Sequence, residues 1–281
     1  MVRSYIRGFR GLGRSTAQEM NFYMNSTAYF LENGQEWLRR WDQMQTNYLP
    51  EREKRFQVML DVLDVLFPGS FVAVDLACGP GSLSQRLLTR FPRANCIAVD
   101  LDPVLLALGR SVLGEMQGRL HWSELDIREP GWHTRLGETQ VDAVLSTTAL
   151  HWLPPETLVS VYQELTALIR PEGVFLNGDH SGFAPHLPTF SSVATTMRER
   201  REAQAFGQGK RENWRQWWDA LQGEPDMQDL LAERERRFAW RTPDEQELVL
   251  ALHEAALQQA GFHEVGVIWQ SMDNRVLMAV R

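Results

Sequence analysis

Phe71-Val72-Ala73-Val74-Asp75-Leu76-Ala77-Cys78-Gly79-Pro80-Gly81-Ser82 is the stretch that decides the fold of this 281-residue chain. An apolar run rich in β-formers, broken by an acid and then by two glycines one residue apart, predicts a buried parallel strand entering a tight turn that opens a helix. Glycine suits such a turn because it tolerates positive φ and lets a ligand approach the backbone where a Cβ would block it. Leu83, Leu87, Leu88 and Phe91 follow as the apolar stripe of a short helix that packs back on the sheet.

A glycine turn of this type also serves enzymes that bind a nicotinamide or flavin dinucleotide, so its surroundings decide. In the dinucleotide pattern the third glycine would fall at Ser84, and the strand would stay apolar up to the first glycine. Neither holds. Asp75, four residues before Gly79, puts a carboxylate at the strand's carboxyl end, which suits an ammonium better than a pyrophosphate. Cys96-Ile97-Ala98-Val99-Asp100 is a second apolar strand ending in an acid, nineteen residues beyond Gly81, where a carboxylate can chelate ribose hydroxyls.

The run Asp75-Leu76-Ala77-Cys78-Gly79-Pro80-Gly81-Ser82-Leu83-Ser84 resembles the first motif of the class I S-adenosylmethionine-dependent methyltransferases. Leu125-Asp126-Ile127 is similar to that family's adenine-binding position after the third strand, and His151-Trp152 after the fourth resembles the trans-aconitate methyltransferase group of bacterial small-molecule enzymes. The resemblance covers 71–180 and 241–281. It implies an α/β, Rossmann-like, seven-stranded, mostly parallel sheet closed by a C-terminal β-hairpin, with S-adenosyl-L-methionine as cofactor.

Composition narrows the function. With 43% hydrophobic and 23% charged residues the chain reads as an ordinary globular protein. A net charge of −7 and a pI near 5.6 argue against a nucleic-acid partner and favour a small-molecule acceptor. Cys78 and Cys96 have neither disulfide-framework nor metal-ligand spacing, so no metal is expected and the compartment reads as reducing. No run approaches the length of a membrane span, and no secretory apolar core is evident, so a cytoplasmic protein without membrane contact is expected. Arg3, Arg7, Arg10 and Arg14, with no acid before Glu19, resemble an organelle transit segment but are read first as a basic N-terminal arm folded over the protein. A homodimer is left open.

Around the core the reading is helical. Residues 1–70 form an N-terminal cap, in which Asn33-Gly34 marks a helix end, Trp37, Trp41, Met44 and Tyr48 make one stripe, and Phe56, Met59, Leu60, Leu63 and Phe67 make a second. Asp102-Pro103 predicts a capped helix start, with Leu105, Leu108 and Val112 on its core side. Val141 to Leu145 is the fourth strand, Pro154-Pro155-Glu156 starts a helix, and Val174 to Asn177 is the fifth strand. Residues 181–240 show no strand pattern and are read as a helical lid insertion around Trp214, Trp217, Trp218 and Leu221, with Gly207 and Gly209 as hinges. Its arginines Arg198, Arg200, Arg201 and Arg211 either hold an anionic substrate or form a solvated face. Thr242-Pro243-Asp244-Glu245 is a capping box, its helix ends at Gly261, and Val265–Gln270 with Arg275–Val280 make the hairpin.

The resemblance assigns roles. Ala77, Gly79 and Gly81 would pass under the methionine moiety, and Asp75 would meet the ammonium or brace the turn. Asp100 and Leu101 would hold the ribose side, and Asp126 and Ile127 the adenine, unless Asp126 only caps its loop. Ser146 and Thr147 would touch the cofactor. His151 is a candidate general base for a hydroxyl or amine acceptor, with packing beside Trp152 as the alternative, and His180 is the second candidate. Tyr23, Tyr29 and Trp152 are the expected substrate contacts. The function expected is methyl transfer to oxygen, nitrogen or carbon of a small molecule. A cofactor-binding sensor or scaffold is the alternative, and a nicotinamide oxidoreductase the more distant one.

Overall fold

The structure is a computed structural model that describes residues 17–138, 140–207, 211–241 and 248–281, and for 17–29 and 31 the backbone alone. Seven strands form one sheet in the order β3-β2-β1-β4-β5-β7-β6. They are β1 (Val72–Leu76), β2 (Asn95–Asp100), β3 (Leu120–Glu124), β4 (Val141–Thr147), β5 (Ile169–His180), β6 (Glu264–Ser271) and β7 (Asn274–Val280). β1 to β5 run parallel, and β7 pairs antiparallel with β5 and with β6, which is the expected closing hairpin. β1 pairs with both β2 and β4, so the strand order reverses there and opens a crevice at the carboxyl ends.

Alternation along each strand feeds two apolar layers. Ala73, Cys96, Ala98, Ala143, Leu145, Val174 and Leu176 face one layer, whose helices are α2 (Arg52–Leu66) and α3 (Ser82–Arg90). Val74, Leu76, Ile97, Val99, Val144 and Phe175 face the other, built from α5 (Pro155–Leu168) and α9 (Leu250–Ala260). Between β2 and β3 lies α4 (Pro103–Leu113), capped by Asp102, whose side chain accepts from the amides of Val104 and Leu105 as its sequence implies. The second helix of the N-terminal region, α2, is therefore a layer of the sheet itself.

The first helix, α1 (Ala17–Tyr48), joins the segment after β5 in a third cluster. That segment holds α6 (Pro188–Phe206), α7 (Trp214–Gln222) and α8 (Gln228–Phe238). Trp217, fully buried, meets Trp37 and Trp41 edge-on at ring-centroid distances of 5.4 and 5.1 Å. An indole buried in this way removes roughly 150–250 Å² from water, about 4–6 kcal/mol before entropy is counted. Leu105 and Leu108 of α4 belong to this cluster, with half-buried Val112 packed on it.

Two expectations change, at Asn33-Gly34 and at the start of β5. Asn33-Gly34 does not end a helix, because α1 runs through it. Gly34 is there for space: a Cβ would stand 2.7 Å from Val112 Cγ2, so the glycine lets α1 and α4 approach closely. Gly207 is the right-handed C-cap of α6, with φ −64°, while its proposed companion Gly209 lies outside the described residues. β5 begins at Ile169, earlier than expected, and takes in the irregular Arg170–Gly173 step, where Glu172 has φ 62°. The capping box at 242–245 and the basic arm also fall outside the described residues. No helix among the described residues is long and apolar enough to cross a membrane.

Candidate active site

A cavity of about 530 Å³ lies at the carboxyl ends of the parallel strands, and each of those ends contributes to it. Ala77, Cys78 and Gly79 follow β1, Asp100 and Leu101 end β2, and Leu125 to Arg128 follow β3. Thr147, Thr148, Ala149, His151 and Trp152 come from the end of β4, and His180 ends β5. Helices α1, α2, α6, α7 and α8 complete the wall with Trp41, Tyr48, Arg52, Arg198, Trp218 and Phe238, and Trp240 joins them. The described lining is largely aromatic and aliphatic, with eight charged residues among it, five of them arginines, and such a concave mixed lining suits a small-molecule ligand.

The first turn is held open by backbone geometry. Ala77, Gly79 and Gly81 all have positive φ, at 57°, 57° and 82°. A Cβ at Gly79 would project between Leu105 and Trp41, both of which line the cavity, so the glycine keeps that space clear. Gly81 has no side chain to cap α3. Asp75 does this from the strand: its Oδ2 accepts from the Ser84 amide at 2.9 Å and from the Ser84 hydroxyl at 2.6 Å. Strand alternation explains the contact, because Asp75 falls on the same side as Ala73, the side covered by α3. Of its two expected roles, Asp75 has that of brace. It lies outside the cavity wall, 1% exposed, with Oδ1 lacking a partner among the described residues. Burial pushes its carboxyl up to about 6.

Asp100 does reach the cavity. Its Oδ2 accepts from the Gly79 amide at 2.6 Å and its Oδ1 from the Asp102 amide at 2.8 Å, so one carboxylate ties the first turn to the start of α4. Burial, with neighbouring Asp102 adding repulsion, raises it to about 6. Asp126 also lines the cavity, but its carboxylate is gripped by Arg128 through the amide at 2.9 Å, Nε at 3.0 Å and Nη2 at 2.6 Å. The loop-capping alternative is thus realised in this structure. The Arg128 guanidinium stacks on Trp240, 4.1 Å from the ring centroid.

Ser146 and Gly81 do not line the cavity. The Ser146 hydroxyl is buried and donates to the Leu76 carbonyl at 2.9 Å, which fastens β4 to β1, and Gly81 faces Trp122 on the other side of the turn. For Tyr23 and Tyr29 only the helical backbone of α1 is described, so their expected substrate contacts lie outside the described side chains.

On the opposite wall, His151 Nδ1 lies 2.8 Å from Oδ1 of Asp179, and the His151 amide donates to Asp179 Oδ2 at 3.3 Å. Asp179 is 1% exposed. Burial alone would raise its carboxyl, but His151, with Arg55 and His180 behind it, holds it well below the usual carboxylate range. An ionised Asp179 fixes the His151 proton on Nδ1, so Nε2 is the basic nitrogen. His151 also packs on Trp152 with ring centroids 4.9 Å apart, so packing and base geometry coexist. His180 Nδ1 stands 3.5 Å from Asp273 Oδ2, an ion-pair distance without hydrogen-bond geometry, and Arg198 reaches the same oxygen at 2.7 Å.

Sequence reasoning missed Asp179, although an acid at the carboxyl end of a parallel strand was itself the signal used for Asp75 and Asp100. It also missed Arg55 and Arg52. Each looks like an ordinary charged residue beside an amphipathic stripe, yet both are buried. The arginines of 181–240 mainly bond to other parts of the protein, and Arg198 also lines the cavity. Arg198 takes Asp273, Arg201 approaches Glu51 at 3.5 Å, Arg211 donates to Asn47 at 3.3 Å, and Arg200 is exposed. Arg234 of α8 takes Asp102 at 2.7 Å, and Arg237 donates to the Leu101 carbonyl at 3.0 Å and pairs with Glu124 at 2.7 Å. Among the described residues no cluster of metal-ligating side chains occurs.

Residues 73–173 match the family described as a methyltransferase domain. The trans-aconitate 2-methyltransferase of Azoarcus sp. (strain BH72) is 30% identical over 135 residues, 48% of this chain and 48% of that protein. The protein of the same name from Escherichia coli O139:H28 (strain E24377A / ETEC) is 33% identical over 100 residues, 36% of this chain and 35% of that protein. These matches span about half or less of the relatives' length. Among solved structures, a putative O-methyltransferase from Nostoc punctiforme PCC 73102 superposes with a TM-score of 0.54 at 13% identity, covering 85% of this chain and 60% of that one. An O-methyltransferase family protein from Burkholderia thailandensis gives 0.52 at 16% identity, covering 90% and 71%. These two likenesses establish the fold.

Proposed function

We propose that this chain, whose core is a class I S-adenosylmethionine-dependent methyltransferase domain, transfers a methyl group to a small-molecule acceptor. The observation that carries the reading is the convergence of two walls on one cavity: the glycine turn with Asp100 on one side, and the His151–Asp179 pair on the other. The clear space at Gly79, a half-buried carboxylate at the end of β2, and apolar Leu101, Leu125 and Ile127 beyond it fit a methionine moiety, a ribose and an adenine in that order. When bound, S-adenosyl-L-methionine supplies a methyl group already activated by its sulfonium.

The chain's own residues then have three tasks. Asp100 accepts from the ribose hydroxyls, and the Ala77–Gly79 turn admits the ligand to its backbone. Trp41, Tyr48, Trp152, Trp218 and Phe238 exclude water and align the acceptor, which is most of what an in-line displacement on an activated methyl requires. His151 takes the proton of a hydroxyl or amine acceptor at Nε2, and Asp179 stabilises the imidazolium so formed. We read α1 as a cap and 181–240 as a lid over a core that takes in α2 together with 71–180 and 241–281, a reading supported by the tryptophan cluster that binds α1 to α7. Two free thiols fit a cytoplasmic setting.

Calorimetric titration with S-adenosylhomocysteine and with NAD tests the cofactor. Tight NAD binding with none for the adenosyl ligand would overturn the reading. Incubating metabolite pools with labelled methyl donor, with trans-aconitate as one defined acceptor because of the relatives' name, tests transfer. Tight adenosyl binding without label transfer to any pool would favour a sensor or scaffold.

A further inference from the structure

Arg55 of α2 carries a charge into the interior with almost no water contact, at 0% exposure. Such a burial is costly unless the charge is compensated, and among the described residues no carboxylate lies within ion-pair distance of it. Its donors are instead spent on the carboxyl ends of β4 and β5 and on the start of β7. Nη1 donates to the Gly178 carbonyl at 2.6 Å and to the Thr148 hydroxyl at 2.9 Å, with Thr147 at 3.4 Å. Nε donates to Asn274 Oδ1 at 3.0 Å, and Nη2 reaches the same oxygen. The backbone has made room for this: a Cβ on Gly178 would stand 2.4 Å from Arg55 Cδ.

Two of these partners sit next to the proposed base. Gly178 precedes Asp179, whose carboxylate holds the His151 ring. Thr148, three residues before His151, has φ 55°, a left-handed conformation that is strained for a β-branched residue and persists only when its surroundings fix it. The Thr148 amide donates to the Gly178 carbonyl, the same oxygen that Arg55 binds. One guanidinium thus fastens the strand end that carries Asp179 to the turn that carries His151.

We infer that Arg55 is a positioning residue for the His151–Asp179 pair, fixing the strained Thr148 turn against the end of β5 and lending Asp179 a cation across the buried side of the site. The inference rests on the reading of His151 as base, and places in α2, outside the 73–173 family match, a determinant of the chemistry. Electrostatics agree. Burial lowers Arg55 to about 10, which leaves it charged near neutrality, and Asp179 is the carboxylate that most supports the charge. The groups around Asp179 are His151, His180 beside it in β5, Tyr162 of α5, and Arg55; His253 of α9 and Arg275 of β7 stand behind them.

The test needs no acceptor. In the full chain with S-adenosylhomocysteine added, nitrogen NMR of the imidazoles follows the His151 tautomer and titration midpoint, with His151→Ala identifying the signal. Arg55→Gln removes the charge and leaves a shorter side chain with two amide donors, so the midpoint should rise by about one pH unit. Arg55→Lys keeps the charge, so the midpoint should stay within a few tenths of a unit while the Nδ1–H tautomer becomes less dominant. A folded Arg55→Gln protein with wild-type midpoint and tautomer would overturn the inference. Should Arg55→Gln not fold, Thr148→Ala decides, since it removes one acceptor of the guanidinium without touching His151 or Asp179. A lower Nδ1–H fraction supports positioning, and an unchanged fraction overturns it. Normal turnover in His151→Ala would remove the base reading alone, so the two failures are distinguishable.

Discussion

Replacing Asp100 with alanine should weaken cofactor binding far more than it weakens the fold. The wild-type carboxylate accepts from the amides of Gly79 and Asp102, and the substitution leaves both without that partner. Each loss costs about 1–3 kcal/mol if the amide stays dry, and less where cavity water reaches it. Against this, the carboxyl is held at about 6 by burial. That is about two units above an ordinary aspartate, so the ionised group carries a penalty of about 3 kcal/mol near neutral pH that alanine removes. The two effects offset, and the melting temperature of the cofactor-free protein should move by only a few degrees. Binding has no such compensation. Two charge-assisted bonds to ribose hydroxyls, at about 1.5–3 kcal/mol each, correspond to a loss of S-adenosylhomocysteine affinity of about a hundredfold to ten-thousandfold, and one such bond alone to about tenfold or more. Calorimetric titration and thermal melting on the same preparation measure both. An affinity within twofold of wild type would refute the assignment of Asp100 to the ribose, and a collapsed fold would refute the compensation argument.

Other expectations follow from the same geometry. His151→Ala should leave S-adenosylhomocysteine affinity nearly unchanged while turnover on the acceptor falls roughly a hundredfold, with partial recovery at high pH; unimpaired turnover would eliminate His151 as base. Asp75 and Asp100, both raised to about 6 by burial, contribute stability that is complete below an ordinary carboxyl value and is lost as pH rises through 6. The melting temperature of the cofactor-free protein should therefore climb between pH 7 and pH 5, by less than the two aspartates alone would give because buried His253, lowered by desolvation, takes back stability as pH falls through the ordinary histidine range; ligand affinity drops as Asp100 protonates, and a melting temperature that falls across this window in a His253→Gln protein contradicts the sign. Asp42, Asp179 and Asp273, all lowered, withdraw their contribution only at more acid pH. Gly81→Ala forces a side chain onto φ 82° and brings its Cβ to 2.7 Å from the Trp122 ring, so unfolding in urea should show a loss of about 1–3 kcal/mol. Hydrogen exchange should show α6 to α8 less protected than β1 and β4 without ligand and gaining protection on addition of S-adenosylhomocysteine; equal protection in the empty protein would remove the lid.

The sheet was legible because its signals are local. Apolar runs ended by acids, a glycine turn and a proline-started helix each declare themselves within a few residues, and β1, β2, β4, α4 and α5 stand where those patterns put them. Gly34 misled because the reason for its presence, the approach of Val112 and Ser111 from α4, lies nearly eighty residues away in the chain. Arg55 and Asp179 stayed hidden for the same reason. No periodicity distinguishes a buried arginine that caps two strand ends from an exposed one on the same helix, and what identifies Asp179 is a histidine 28 positions earlier. The Asp126 carboxylate, legible as a site residue, proved to be held by Arg128 two positions on, a bond too short-range for any pattern to exclude.

Asp75 and Asp100 show how strand geometry sorts identical residues. Both stand at or next to the end of an apolar strand, and both are raised to about 6 by burial. Asp75 is the fourth residue of β1, one short of its end, and alternation turns it to the α3 side, where it replaces the cap that Gly81 lacks. Asp100 is the last residue of β2, where the chain leaves the sheet, so its carboxylate reaches the cavity while still taking the Gly79 amide. The loop it begins is then gripped from above: Arg234 holds Asp102 and Arg237 holds the Leu101 carbonyl, both from α8. A ligand that binds Asp100 therefore binds a loop that α8 already touches. On the proposed lid reading, any difference in that loop between two lid positions becomes, by linkage, a difference in cofactor affinity, and cofactor binding shifts the lid equilibrium by the same factor.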